Sequence, residues 1–116
     1  MILPKFDPDQ SPADFQALVE QARKASELLK ALSHESRLLI LCLLAEGEKS
    51  VSELEEIMHM PQAAVSQQLA RLRFDRLVNP RRDGRVIYYS IANAEISAVI
   101  GTLYDLFCAS VRKPAS

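Results

Sequence analysis

At 116 residues the chain has room for one domain with a packed core and not for two. Apolar residues make up 48% and charged residues 25%, the balance of an ordinary globular protein, and two cysteines are too few for a disulfide-stapled secreted scaffold. The net charge of -1 excludes a uniformly basic nucleic-acid binder, so any electrostatic footprint must lie in how the charges are distributed.

The start, Met1-Ile2-Leu3-Pro4-Lys5-Phe6-Asp7, lacks the basic segment and apolar run of an export signal. No stretch approaches the roughly 20 apolar residues that span a bilayer. The expectation is a cytoplasmic protein with no membrane partner. Pro4, Pro8 and Pro12 among Asp and Ser mark residues 1–12 as an irregular arm. Residues 13–110 read as one domain and 111–116 as a short tail.

Residues 13–32 predict an amphipathic helix, because Phe15, Leu18, Val19, Ala22, Ala25, Leu28, Leu29 and Leu32 recur at three- and four-residue steps. Ser33 offers an N-cap for a second helix over roughly 34–46, and Gly47 stands where a helix stop is expected. Within it, the run LLILCLLA (38–45) is very apolar and reads as a buried helix. Lys49-Ser50-Val51 predicts a short strand or turn. Ser52-Glu53-Leu54-Glu55 has capping-box spacing and predicts a third helix over about 53–59. Pro61 cannot extend that helix but suits a turn or the first turn of another, here over about 62–75 with Val65, Leu69 and Leu72 facing inward.

Asp83-Gly84, flanked by β-branched and aromatic residues over 77–91, signals a two-stranded ribbon. Tyr88 and Tyr89 then point to opposite faces, one packing and one outward. A last helix spans about 93–110, with Ile96, Val99, Ile100, Leu103 and Phe107 on one face. The fold class is therefore mainly α with a β-hairpin wing, a winged helix-turn-helix of about five helices.

The fourth helix opens on short or neutral polar side chains, Gln62, Ala63, Ser66, Gln67 and Gln68, with Arg71 and Arg73 behind them. Such a mix suits a major groove. Gln bonds adenine edges, Ala meets a thymine methyl, and Ser bonds a base or a phosphate. Between residues 71 and 85 six arginines stand against two aspartates, a local net charge of +4 in a chain that nets -1. Arg81, Arg82 and Arg85 cluster on the hairpin. The candidate interface with double-stranded DNA is thus Gln62, Ala63, Ser66, Gln67, Gln68, Arg71, Arg81, Arg82 and Arg85. The plainer alternative is a solvated helix beside a charged hairpin used for protein contacts, which would lack salt-dependent affinity for DNA.

Together, ALSHESRLLIL (31–41), Ser52-Glu53-Leu54, VSQQLARLR (65–73) and GRVIYYSI (84–91) resemble the ArsR/SmtB-type bacterial repressors over residues 15–110. The resemblance implies a homodimer joined through its first and last helices, operator DNA facing Ser66, Gln67 and Gln68, a wing on the backbone or minor groove, and release by an inducer.

Many such repressors sense metals, but no metal site is expected here. The third helix reads Glu53-Leu54-Glu55-Glu56-Ile57 without a cysteine pair, and the last helix has no histidine. His34 reads as a helix-start residue and His59 as a surface residue at a helix end. Leu41-Cys42 and the closing LYDLFCA (103–109) resemble the BigR/SqrR-type subgroup, which implies that Cys42 and Cys108 sense persulfides or polysulfides through a sulfur bridge and control sulfide-detoxifying genes. From the residues alone, Cys42 in its apolar run is as well explained by burial as a small hydrophobe. An arsenical, haem or a general oxidant remains open as the effector. No cofactor is expected. A dithiol enzyme is disfavoured because there is no Cys-x-x-Cys motif, and the chain's three glycines form no phosphate loop.

Overall fold

A computed structural model describes residues 7–9 and 11–111. The rest of the proposed arm and the proposed tail beyond Val111 lie outside the described residues. The elements run α1 (Pro12–Leu32), α2 (Glu35–Ala45), β1 (Lys49–Ser50), α3 (Val51–Met58), α4 (Gln62–Phe74), β2 (Val78–Asp83), β3 (Val86–Ile91) and α5 (Ala94–Phe107). Among the described residues, five helices thus carry one three-stranded antiparallel sheet in the order β1-β3-β2.

Pro12 belongs to α1 and not to the arm. Ser11 caps the helix by accepting from the Asp14 N–H at 3.3 Å, and proline suits the first helical position because its missing N–H has no helical partner there. Ser33 does not cap α2. Its hydroxyl donates to the Lys30 carbonyl at 2.7 Å and closes α1, leaving His34 as the N-cap residue of α2.

Ile40, Leu41, Cys42, Leu43 and Leu44 are all buried, so α2 is enclosed by α1, α4, α5 and β3. At about 1.5–3 kcal/mol for each large side chain, this helix anchors the core.

The capping box lies two residues earlier than the expected Ser52–Glu55 pair. Ser50 Oγ accepts from the Glu53 N–H at 3.1 Å, and Glu53 Oε1 accepts from the Ser50 N–H at 3.1 Å. Two Ser-x-x-Glu registers overlap in the sequence, and sheet pairing chooses between them. Ser50 pairs with Tyr88 in extended conformation, so the helix begins immediately after it. This start places Val51, Leu54 and Met58 on one inward stripe.

Two helix stops use left-handed residues that are not glycine. His59, at φ 53°, ends α3 while the Met60 N–H reaches back to the Glu55 carbonyl at 3.3 Å. Arg76, at φ 61°, ends α4 in a Schellman arrangement, with Leu77 N–H to Leu72 O at 2.9 Å and Arg76 N–H to Arg73 O at 3.0 Å. The buried side chains of Leu72 and Leu77 accompany the turn.

In the wing, Asp83 pairs with Val86, so the two-residue turn is Gly84-Arg85 and not Asp83-Gly84. Gly84 takes φ 63°, as the first central position of such a turn requires. Tyr89 packs against the core. Tyr88, on the other face by strand alternation, meets Arg81.

The last helix is shorter than 93–110, with Cys108 as its C-cap residue. Phe107 is not inward-facing; it is 74% exposed. Phe15, Leu18, Val19 and Leu29 of α1 are exposed as well. The radius of gyration is 17.3 Å, against about 13 Å for a compact chain of 100 residues. The projecting α1 is consistent with that excess.

The observed cap register has a direct test. Ser50→Ala is expected to lower stability by about 1 kcal/mol, whereas Ser52→Ala changes it by less than about 0.5 kcal/mol. Urea unfolding at fixed protein concentration distinguishes the two, and equal losses would place the cap elsewhere.

Candidate nucleic-acid interface and thiol pair

The turn His59–Pro61 joins α3 to α4, and the two helices pack together over α2 and the sheet. Val65, Leu69 and Leu72 hold α4 against the core, as the periodicity predicts. Gln62, Ala63, Ser66 and Gln67 are exposed on its free surface, while Gln68 is half-buried on the flank of the inward stripe.

The arginines divide into two sets. Arg71 Nε donates to Asp75 Oδ2 at 3.3 Å, and its guanidinium lies 5.9 Å from the Phe74 ring centroid. Arg37 approaches the same carboxylate oxygen at 3.9 Å. Arg81 donates to both carboxylate oxygens of Glu48, Nε to Oε2 at 2.9 Å and Nη2 to Oε1 at 2.6 Å, and lies 4.8 Å from the Tyr88 ring centroid. The hydrogen bonds from Arg81 hold the Glu48 carboxyl below the usual carboxylate range, and the same bonds raise the pKa of Arg81. Arg73, Arg76, Arg82 and Arg85 are exposed and pair with no carboxylate among the described residues.

Arg73 is the candidate that the sequence-based set omits. It falls on one helical stripe with Ser66 and Ala70, at steps of four and three residues, and that spacing was the available signal. Arg71 lies off this stripe, turned toward Asp75.

Cys42 is buried in α2, and Cys108 is half-buried at the end of α5. The two helices pack against each other. The Cys108 N–H donates to the Tyr104 carbonyl at 2.8 Å, and Tyr104 packs against the core, so the position of Cys108 is tied to the helix. Among the described residues no three histidine, cysteine, aspartate or glutamate side chains gather to hold a metal ion. No described helix is long and apolar enough to cross a membrane.

A helix pair joined by a tight turn, its second helix bearing neutral polar side chains, and an arginine-bearing hairpin directly after it define a winged helix-turn-helix DNA-binding protein. Residues 34–79 match the family described as bacterial regulatory protein, arsR family. The chain is 41% identical over 98 residues to the transcriptional activator HlyU of Vibrio cholerae, an alignment covering 84% of this chain and 91% of that one. Among solved structures, reduced HlyU from V. cholerae superposes with a TM-score of 0.76 at 42% identity, covering 80% of this chain and 98% of that chain. The transcriptional repressor BigR from Xylella fastidiosa gives 0.77 at 37% identity, covering 85% and 98%. The chain belongs to the ArsR family of bacterial regulators, and it is a DNA-binding transcriptional regulator and not an enzyme.

Gln67→Ala is expected to weaken binding to a duplex selected from a random pool by about 1–3 kcal/mol, the worth of a bidentate base contact, and to affect unselected DNA far less. Anisotropy titrations on both duplexes measure this, and equal losses would remove Gln67 from the base-reading set.

Proposed function

We propose that this protein is a homodimeric repressor that holds operator DNA while Cys42 and Cys108 are reduced and lets go when a persulfide or polysulfide links them. The observation that carries the reading is the placement of the chain's two cysteines within α2 and at the C-cap of α5, two helices in mutual contact. α2 also packs against α4, so a bridge that shifts α2 relative to α5 acts directly on the seat of the DNA-facing helix. A solved relative named as a repressor and another specified as reduced HlyU support a thiol-dependent repressor.

The chemistry balances without an added oxidant. A Cys108 thiolate attacks the outer sulfur of an organic persulfide, forming Cys108–S–SH and releasing the organic thiolate. The Cys42 thiolate then attacks the inner sulfur, closing a disulfide and expelling hydrosulfide. If both cysteines first become persulfides, the terminal sulfur of one attacks the inner sulfur of the other. A three-sulfur bridge forms, and hydrosulfide again leaves. The longer bridge spans gaps beyond the roughly 7 Å Cα separation that limits a plain disulfide.

Dimerisation is supported by the exposed apolar side chains on the first and last helices. Phe15, Leu18 and Val19 of α1 and Leu106 and Phe107 of α5 are exposed in the single chain. The reading assigns Gln62, Ser66, Gln67 and Arg73 to the operator-facing surface of α4.

The deciding measurement is fluorescence anisotropy on DNA from upstream of the protein's own gene, with reduced protein and with protein treated anaerobically with an organic persulfide. Tight binding by the reduced form alone is expected. Cys42→Ser and Cys108→Ser are each expected to keep DNA binding and lose the response. Equal binding by treated and untreated protein returns both cysteines to packing roles. Leu18→Glu is expected to convert the dimer to monomer in sedimentation velocity, and an unchanged dimer would move the interface away from α1.

A further inference from the structure

We infer that Glu48 and Arg81 form a clamp that fixes the pose of the wing, so that Arg81 positions the hairpin and the phosphate contacts of the wing fall to Arg82 and Arg85. The inference rests on the family's DNA binding and is independent of the thiol switch.

The clamp crosses the sheet. Tyr88 sits on the central strand, paired with Ser50 of β1 on one side and with Arg81 of β2 on the other. Glu48 immediately precedes β1, just beyond the end of α2. The Arg81 side chain passes over the Tyr88 ring to reach it, binding both carboxylate oxygens. Arg81 therefore ties the outer strand of the wing to the segment joining α2 to the helix-turn-helix.

The base of the ribbon packs on the body through Val78, Tyr89 and Ile91, but its outer part lies beyond that packing and gains from a further tie. An isolated two-stranded hairpin is marginal in water, and the backbone pairing that joins this one to the body covers only Lys49 and Ser50 of β1. A side-chain bridge from the row of the Ser50 pairing narrows the directions the tip can take. An exposed ion pair adds little to global stability, so its effect falls on orientation.

The same geometry takes Arg81 away from DNA. Reaching a phosphate would require it to leave both oxygens of Glu48 and the Tyr88 ring, and would leave a bare carboxylate beside the phosphates. Strand alternation turns Arg82 to the opposite face of β2, and Arg85 stands in the turn. Neither meets a carboxylate among the described residues.

Salt dependence separates positioning from contact, because each phosphate contact contributes about 0.9 to the slope of log affinity against log salt. Binding of the full chain to a duplex selected from a random pool is measured across salt concentrations for Glu48→Gln, Arg81→Gln, their double variant, Arg82→Gln and Arg85→Gln. Circular dichroism checks that each variant is folded. Arg82→Gln and Arg85→Gln are expected to lower the slope by about 1 per protomer. Glu48→Gln and Arg81→Gln are expected to weaken binding about three- to tenfold at every salt concentration with the slope unchanged, and the double variant to be no weaker than either single one. A lower slope for Arg81→Gln, or binding by Glu48→Gln as tight as or tighter than the parent, would overturn the clamp.

Discussion

A helix that is apolar on nearly every side must be covered on nearly every side. The five consecutive buried residues of α2 impose that requirement, and the surrounding architecture answers it. α1, α4, α5 and β3 all pack against it. The seat of α4, the candidate DNA-facing helix, is therefore set by the residues packed beneath it, and a change in how α2 packs reaches α4 without an intermediary. One of those buried residues is a cysteine, so any modification of its thiol would fall where the fold is least tolerant of displacement.

The polar surface follows a different logic. The concentration of arginine between residues 71 and 85 looks in sequence like one undivided positive field. In the folded chain it separates into guanidinium groups held by carboxylates and groups left to solvent. Asp75 and Glu48 hold Arg71 and Arg81, each beside an aromatic ring. Net charge alone overstates what is available to a phosphate, because a paired arginine must first give up its partner.

Element types and order were legible because each rests on local periodicity or turn chemistry. The inward residues of α4, the hairpin and the apolar second helix follow from three- and two-residue patterns. What was not legible required knowledge of partners. Two overlapping Ser-x-x-Glu registers are equally good caps until Ser50 pairs with Tyr88. Pro12 reads as a loop residue until Ser11 is seen to cap the helix it begins. The apolar stripe of α1 and the outward Phe107 are sound helical patterns, but a pattern does not say what covers it. Glu48 and Arg81 stand 33 residues apart, and no local rule joins them. At the candidate interface, neutral polarity marks Gln62, Ser66 and Gln67 in the sequence, whereas Arg73 becomes a candidate only through its helical stripe.

The burial of Cys42 has a kinetic consequence. With only 7% of the residue's surface open, Cys42 reacts with a dissolved reagent mainly when the packing around α2 loosens. Cys108, half-open at a helix end, carries no such restriction. At low reagent levels the rate of modification at Cys42 then scales with the product of reagent concentration and open population. At high levels it reaches a ceiling set by the opening rate itself. A brief pulse of reagent and a sustained low dose of the same total exposure would therefore leave different fractions of Cys42 modified, so the packing of α2 acts as a timer as well as a scaffold.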